Sequence, residues 1–104
     1  MSFEDVVNRM ATALNPEQII LFGSRARGDH RTDSDYDVLI VVPDTTESTL
    51  KLAGDALIAA RGKRFGMDVV VYTHSEFEIS IRECHDVVCH AMKDGRVVYE
   101  KNRT

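Results

Sequence analysis

Residues Gln18 to Val42 read QIILFGSRARGDHRTDSDYDVLIVV, two apolar runs on either side of a polar stretch that opens with glycine. The first run, Gln18 to Phe22, is short and nearly all apolar, which suits a strand buried on both faces. The second, Tyr36 to Val42, repeats the pattern and ends at Pro43, which cannot extend a sheet ladder. Between them, Arg25 to Ser34 has no apolar periodicity and carries Gly28, three arginines and two aspartates. It is therefore an exposed polar loop, with room for one helical turn at its start. Asp35 and Asp37 head the second strand. With one residue between them they project to the same face, and Tyr36 projects to the other. Two carboxylates so placed are the outline of a metal clamp.

Outward from this stretch, helices and strands alternate. Ser2 to Leu14 has an N-cap at Ser2, acids at Glu4 and Asp5, and an apolar stripe of Phe3, Val6, Val7, Met10 and Leu14. This helix is expected to end at Asn15-Pro16, because the residue before proline avoids the helical region, and to pack across the first strand. From Ser48 to Arg61, Leu50, Ala53, Leu57 and Ala60 recur at helical spacing, with Gly62 as the stop. MDVVVYT, Met67 to Thr73, is a third strand and again opens near an aspartate, Asp68, so a β-helix-β crossover is implied. Ser75 with Glu78 reads as a capping box for another helical segment. A helix from about Asp86 to Lys93 carries Val88, Ala91 and Met92 and stops at Gly95. Arg96 to Tyr99 is a last short strand, and Lys101 to Thr104 is expected to fray. The fold class is α/β: one domain over residues 1–104 with a mixed sheet of about four strands flanked by helices.

The 104 residues, 43% hydrophobic and 29% charged, are enough for one domain with a real core. A formal charge of -4 argues against direct nucleic-acid binding as the main task, since such domains show a basic face. There is no signal pattern and no apolar run near the roughly 18 residues of a membrane span, so the expected compartment is the cytoplasm, with no membrane partner. Cys84 and Cys89 are too few for a secreted disulfide framework and are expected to be reduced. A zinc site from Cys84, His85, Cys89 and His90 is not supported. On one helix, positions five apart diverge by about 140°, and a finger needs two separated pairs.

Asp35, Asp37 and Asp68 all stand at strand starts where apolar residues are otherwise expected. Carboxylates beside a buried sheet repel one another and resist desolvation unless cations neutralise them. Oxygen ligands point to Mg²⁺, with Mn²⁺ as a substitute, rather than to zinc. Two such ions roughly 3.5–4 Å apart clamp an in-line phosphoryl displacement. Asp35 and Asp37 would bridge both ions, and Asp68 would complete the ion beside the acceptor and take its proton. Gly23 lets a phosphate approach the backbone, where the following N–H groups and the Ser24 hydroxyl can bind it. Arg25 and Arg27 would offset further charge. An ATP-hydrolysis loop is excluded, because Gly28 is followed by Asp29-His30 and not by lysine with serine or threonine.

Gly23-Ser24, ten residues, Asp35-x-Asp37 and a later strand aspartate at Asp68 resemble the minimal nucleotidyltransferases, small members of the DNA polymerase β-like superfamily. The runs GSRARGD, SDYDVLIVV and MDVVVYT are similar to the MNT antitoxins that pair with HEPN-domain ribonuclease toxins. The resemblance spans nearly the whole chain. It implies Mg²⁺-dependent transfer of AMP from ATP to a hydroxyl, in the antitoxin branch a tyrosine of the partner toxin, within a hetero-oligomer. The family motif falls on Gly23, Ser24, Asp35, Asp37 and Asp68, with Arg25 and Arg27 matching only the local run. Larger relatives hold the base with a second lobe that this chain lacks. Two other readings stay open: a binding-only antitoxin that acts by occlusion, and a transferase for a small hydroxylated molecule.

Overall fold

Four strands hydrogen-bond in the spatial order β3-β2-β1-β4. They are β1 (Gln18–Phe22), β2 (Tyr36–Val42), β3 (Met67–Thr73) and β4 (Arg96–Glu100). β1 runs antiparallel to both β2 and β4, while β2 and β3 are parallel. The sheet is therefore mixed, as expected. The computed structural model describes residues 1–29, 31–32, 34–84 and 87–101. The expected fray after Lys101 and the expected helix start at Asp86 lie outside the described residues.

Alternation along the strands splits the core in two. Ile19, Val38, Ile40, Val42 and Val71 face α1 (Phe3–Leu14) and α3 (Thr49–Ala59), whose Val6, Val7, Met10, Leu52 and Ala56 complete that layer. Ile20, Leu39 and Val41 face the other way, toward Phe77 of α4 (His74–Glu83) and Met92 of α5 (Val87–Asp94). The central strands are covered on both faces, which is why β1 and β2 read as continuous apolar runs rather than as alternating ones.

α1 has its capping box: the Asp5 N–H donates to Ser2 Oγ at 3.1 Å and the Ser2 N–H to Asp5 Oδ2 at 3.0 Å. It ends at Asn15, which takes up a left-handed conformation at φ 49 and donates its N–H to the Ala11 carbonyl. The proline rule foresaw the stop but not this geometry.

Three details differ from the sequence reading. In α3 the buried stripe is Leu52, Ala56 and Ala60, while Leu50 and Leu57 point outward, because the small residues let the helix lie close to the sheet. α4 starts two residues early: Thr73 and Glu76 form its capping box, and Ser75 instead donates from N–H and Oγ to Asp44 at 2.9 and 2.6 Å. Thr73 already ends β3, so its extended backbone is ready-made for an N-cap. Finally, Cys84 and Cys89 are joined as a disulfide, not reduced. They do not share one helix. Cys84 closes α4 in a left-handed turn at φ 52, Cys89 lies in α5, and the break brings their Cα atoms to 5.0 Å. His85 and the side chains of Val88, His90 and Ala91 lie outside the described residues.

Candidate active site

The C-terminal end of β1 and the N-terminal ends of β2 and β3 meet at one edge of the sheet. Register pairs Asp37 with Phe22 on one side and with Asp68 on the other. Asp37 shares parity with Leu39 and Val41, and Asp68 with Val70 and Tyr72, so both carboxylates stand on the α4–α5 face beside the smaller apolar cluster. Asp35, two residues before Asp37, approaches the same edge. Burial, then the charges of Asp68 and Asp35, push the Asp37 carboxyl above its ordinary range, and Arg27 only partly opposes them. Asp37 thus feels both neighbouring carboxylates from its place at the start of β2.

Two glycines line this edge, and each makes room for a carboxylate. A Cβ on Gly23 would fall on Asp37 Oδ2, and one on Gly66 on Asp35 Oδ1. Gly23 has φ 78 and ψ -160, a conformation that L-residues avoid. Gly66 was missed by the sequence reading. The available signal was a glycine two residues before the strand aspartate, in a segment that must run beside Asp35; its carbonyl accepts the Tyr36 N–H at 3.0 Å. The donor set is all oxygen and suits a hard divalent cation. As they stand, Asp35 is turned toward Gly66 and Asp37 toward Gly23. Among the described residues no three acidic, histidine or cysteine side chains are grouped tightly enough to hold an ion. Asp35 and Asp68 are exposed, so packing does not fix their carboxylates in these directions.

The turn after β1 is a single helical turn, α2 (Ser24–Arg27). The N–H groups of Ala26 and Arg27 both donate to the Gly23 carbonyl at 3.1 Å, and Gly28 closes the turn. Gly23 holds the cap position and no side chain caps the helix, so Ser24 is its first residue and not its N-cap. Of the four amide groups of the turn, only those of Ser24 and Arg25 precede these bonds and have no intrahelical partner.

Arg25, expected beside the phosphates, is engaged within its own loop. Its Nε and Nη2 donate to the Ser34 carbonyl at 3.1 and 2.9 Å, and Nη2 also reaches the Thr32 carbonyl at 3.1 Å. The guanidinium lies 4.3 Å from the centroid of the Tyr36 ring, and Tyr36 in turn stacks on Phe3 at 4.3 Å and meets Phe65 at 4.8 Å. Arg25 thereby straps the end of the polar loop to the residue between the two aspartates. Arg27 pairs with Asp29 at 3.2 Å, an exposed contact of little weight, and remains the cation that Asp37 senses.

Residues 3–99 match the nucleotidyltransferase domain family. The chain belongs to that family. Solved structures agree on the fold of this nucleotidyltransferase. A protein from Sulfolobus solfataricus, assigned as a nucleotidyltransferase, superposes with TM-score 0.61 at 23% identity over 94% of this chain and 77% of its own. A toxin–antitoxin structure with AMP-PNP gives TM-score 0.59 at 21% identity over 96% and 75%. A mutant of the MntA-HpeT toxin–antitoxin pair gives 0.57 at 20% identity over the same shares, 96% and 75%. Among curated proteins no sequence matches.

Proposed function

We propose that this nucleotidyltransferase transfers AMP from ATP to a hydroxyl, most simply a tyrosine, of a HEPN-type toxin, and serves as the antitoxin of that pair within the cytoplasm. The observation that carries the reading is the register that sets Asp37 beside Asp68, next to the Gly23-Ser24 turn. Like charges crowded on a partly buried edge favour a cation. Asp35, Asp37 and Asp68 would hold Mg²⁺, two ions in the full reading, and Mn²⁺ in its place. Bound there, divalent ions supply charge neutralisation at the phosphates and a more acidic acceptor hydroxyl.

The chain's own residues divide the remaining work. The Gly23 backbone and the Ser24 hydroxyl, with the Ser24 and Arg25 amide groups, receive the phosphates that leave as pyrophosphate. Asp68, on the outer strand, takes the acceptor proton. Arg27 offsets charge from the helical turn, while Arg25 keeps the loop in place. The toxin–antitoxin neighbours, one of them with AMP-PNP, support a protein partner and an adenine nucleotide.

The test is incubation with Mg²⁺, α-labelled ATP and the product of the neighbouring gene. The expected result is a partner heavier by AMP, with pyrophosphate released. Asp37→Asn should lose at least about a thousandfold in rate, roughly 4 kcal/mol of transition-state stabilisation, while still binding the partner. Recovery of ADP with a phosphorylated partner would overturn the reading. Full protection of cells by Asp37→Asn would make occlusion the mechanism.

A further inference from the structure

Leu50, Leu57 and Ile58 of α3 are 83%, 41% and 61% exposed. Because Leu52 and Ala56 point inward, positions 50, 54, 57 and 58 share the outer face of the helix. Gly54 lies at the middle of that face. A Cβ there would meet nothing within 4 Å, so nothing in the chain itself calls for glycine, although glycine weakens a helix interior. The result is a notch between two large apolar side chains, a shape that admits close approach of another backbone.

The ends of the face carry opposite charge. Glu47 precedes the helix, Arg61, Lys63 and Arg64 follow it, and no ion pair joins any of these four among the described residues. Counted from Gly54, the arrangement is palindromic: Leu50 and Ile58 lie four residues to either side, Glu47 and Arg61 seven. Two α3 helices laid antiparallel about a two-fold axis at Gly54 therefore set leucine against isoleucine twice and bring the acidic segment before each helix, at Glu47, to the basic segment after the other, at Arg61. That is the self-complementarity an isologous contact requires. We infer that the outer face of α3 is a homodimer contact whose occupant is a second copy of this chain. The face is small beside the roughly 800 Å² per partner of a standard interface, so the association is weak and concentration-dependent. Its charge pairs are exposed, so salt loosens it.

Sedimentation equilibrium of the full chain tests this. A reversible monomer–dimer equilibrium that weakens with salt is expected. Gly54→Arg should raise the dissociation constant at least about tenfold without lowering the melting temperature, since the space at Gly54 is open. Arg61→Glu should weaken the dimer about tenfold, and adding Glu47→Arg in the same chain should restore it, because the symmetry re-forms both pairs. Gly54→Cys should give a cross-linked dimer on oxidation. A chain that stays monomeric at every concentration, a dimer indifferent to Gly54→Arg, or a failed charge swap would overturn the inference. So would a Gly54→Arg chain that self-associates normally but no longer binds its partner protein, which would assign the face to that protein.

Discussion

Replacing Gly23 with alanine should be costly for two separable reasons. The backbone at φ 78 and ψ -160 lies in a region essentially reserved for glycine, worth about 1–3 kcal/mol to an L-residue. The new methyl would also fall on Asp37 Oδ2, and forcing that side chain off its rotamer adds about 0.5–1.5 kcal/mol. Together the loss is about 2–4 kcal/mol, a fall in urea midpoint of about 1–2 M at an m value of about 2 kcal/mol/M. Gly28 provides the control. It is left-handed too, at φ 83, but a Cβ there meets nothing within 4 Å, so Gly28→Ala pays only for its backbone, about 1–2 kcal/mol. The steric share is isolated by the cycle of Gly23→Ala, Asp37→Ala and the double mutant, which should show a coupling of about 0.5–1.5 kcal/mol. Urea unfolding of the four chains, with m unchanged, measures it. A Gly23→Ala chain no less stable than Gly28→Ala, or a coupling of zero, would refute the account of Gly23 as the seat of Asp37.

Arg25→Lys should destabilise by about 1–2 kcal/mol, because an ammonium cannot reach the Thr32 and Ser34 carbonyls and cover Tyr36 together; chemical denaturation reads the loss, and faster amide exchange at Asp35 to Asp37 reads the loosened loop. His74, paired with Glu17 at 2.7 Å and Glu78 at 3.0 Å, has its pKa raised by Glu17 first and then by Glu78. Its contribution to stability is therefore complete below the ordinary histidine value of about 6.5 and is lost as pH rises through the higher folded value; thermal melts across that window should flatten in His74→Gln. Reduction of Cys84–Cys89, which are five residues apart, should cost about 2 kcal/mol by loop-closure entropy, and a Cys84→Ser chain should melt alike with and without reductant.

What the sequence made legible was whatever depends on period and on chain-local chemistry. The alternation along Tyr36–Val42 sufficed to place Asp37 on the face of Leu39 and Val41, and β1 and β2 could be bounded because a glycine and a proline stop them. The Ser2 cap was readable because its acidic partner is three residues away. Relations between distant segments were not readable. The inner face of α3 was misjudged because Leu50 and Leu57 outweigh Ala56 on any hydrophobicity count, yet Leu52 and Ala56 are what fit against the sheet beside the expected Ala60. Thr73 and Ser75 compete for one cap, and the contest is settled by Asp44, a residue on another loop that occupies Ser75. The loop role of Arg25 depends on where the chain returns at Ser34, and that of Gly66 on the crossover that lays it beside Asp35. Neither leaves a periodic trace.

The placement of Asp68 has a consequence for the lifetime of the assembled edge. β3 hydrogen-bonds to β2 alone, whereas β2 is held on both sides. Native chains open segment by segment, and an outer strand detaches at lower free energy than an inner one. When β3 lifts away, Asp68 and the Gly66 wall depart while Asp37 stays on the β1–β2 ladder. Asp68 is therefore beside Asp37 for a smaller share of the time than the chain is folded, and opening along Met67–Thr73, read by amide exchange, sets the ceiling on that pairing. Whatever seats itself along the outer margin of β3 raises that ceiling, so engagement of a partner there would ready the edge without touching a single carboxylate.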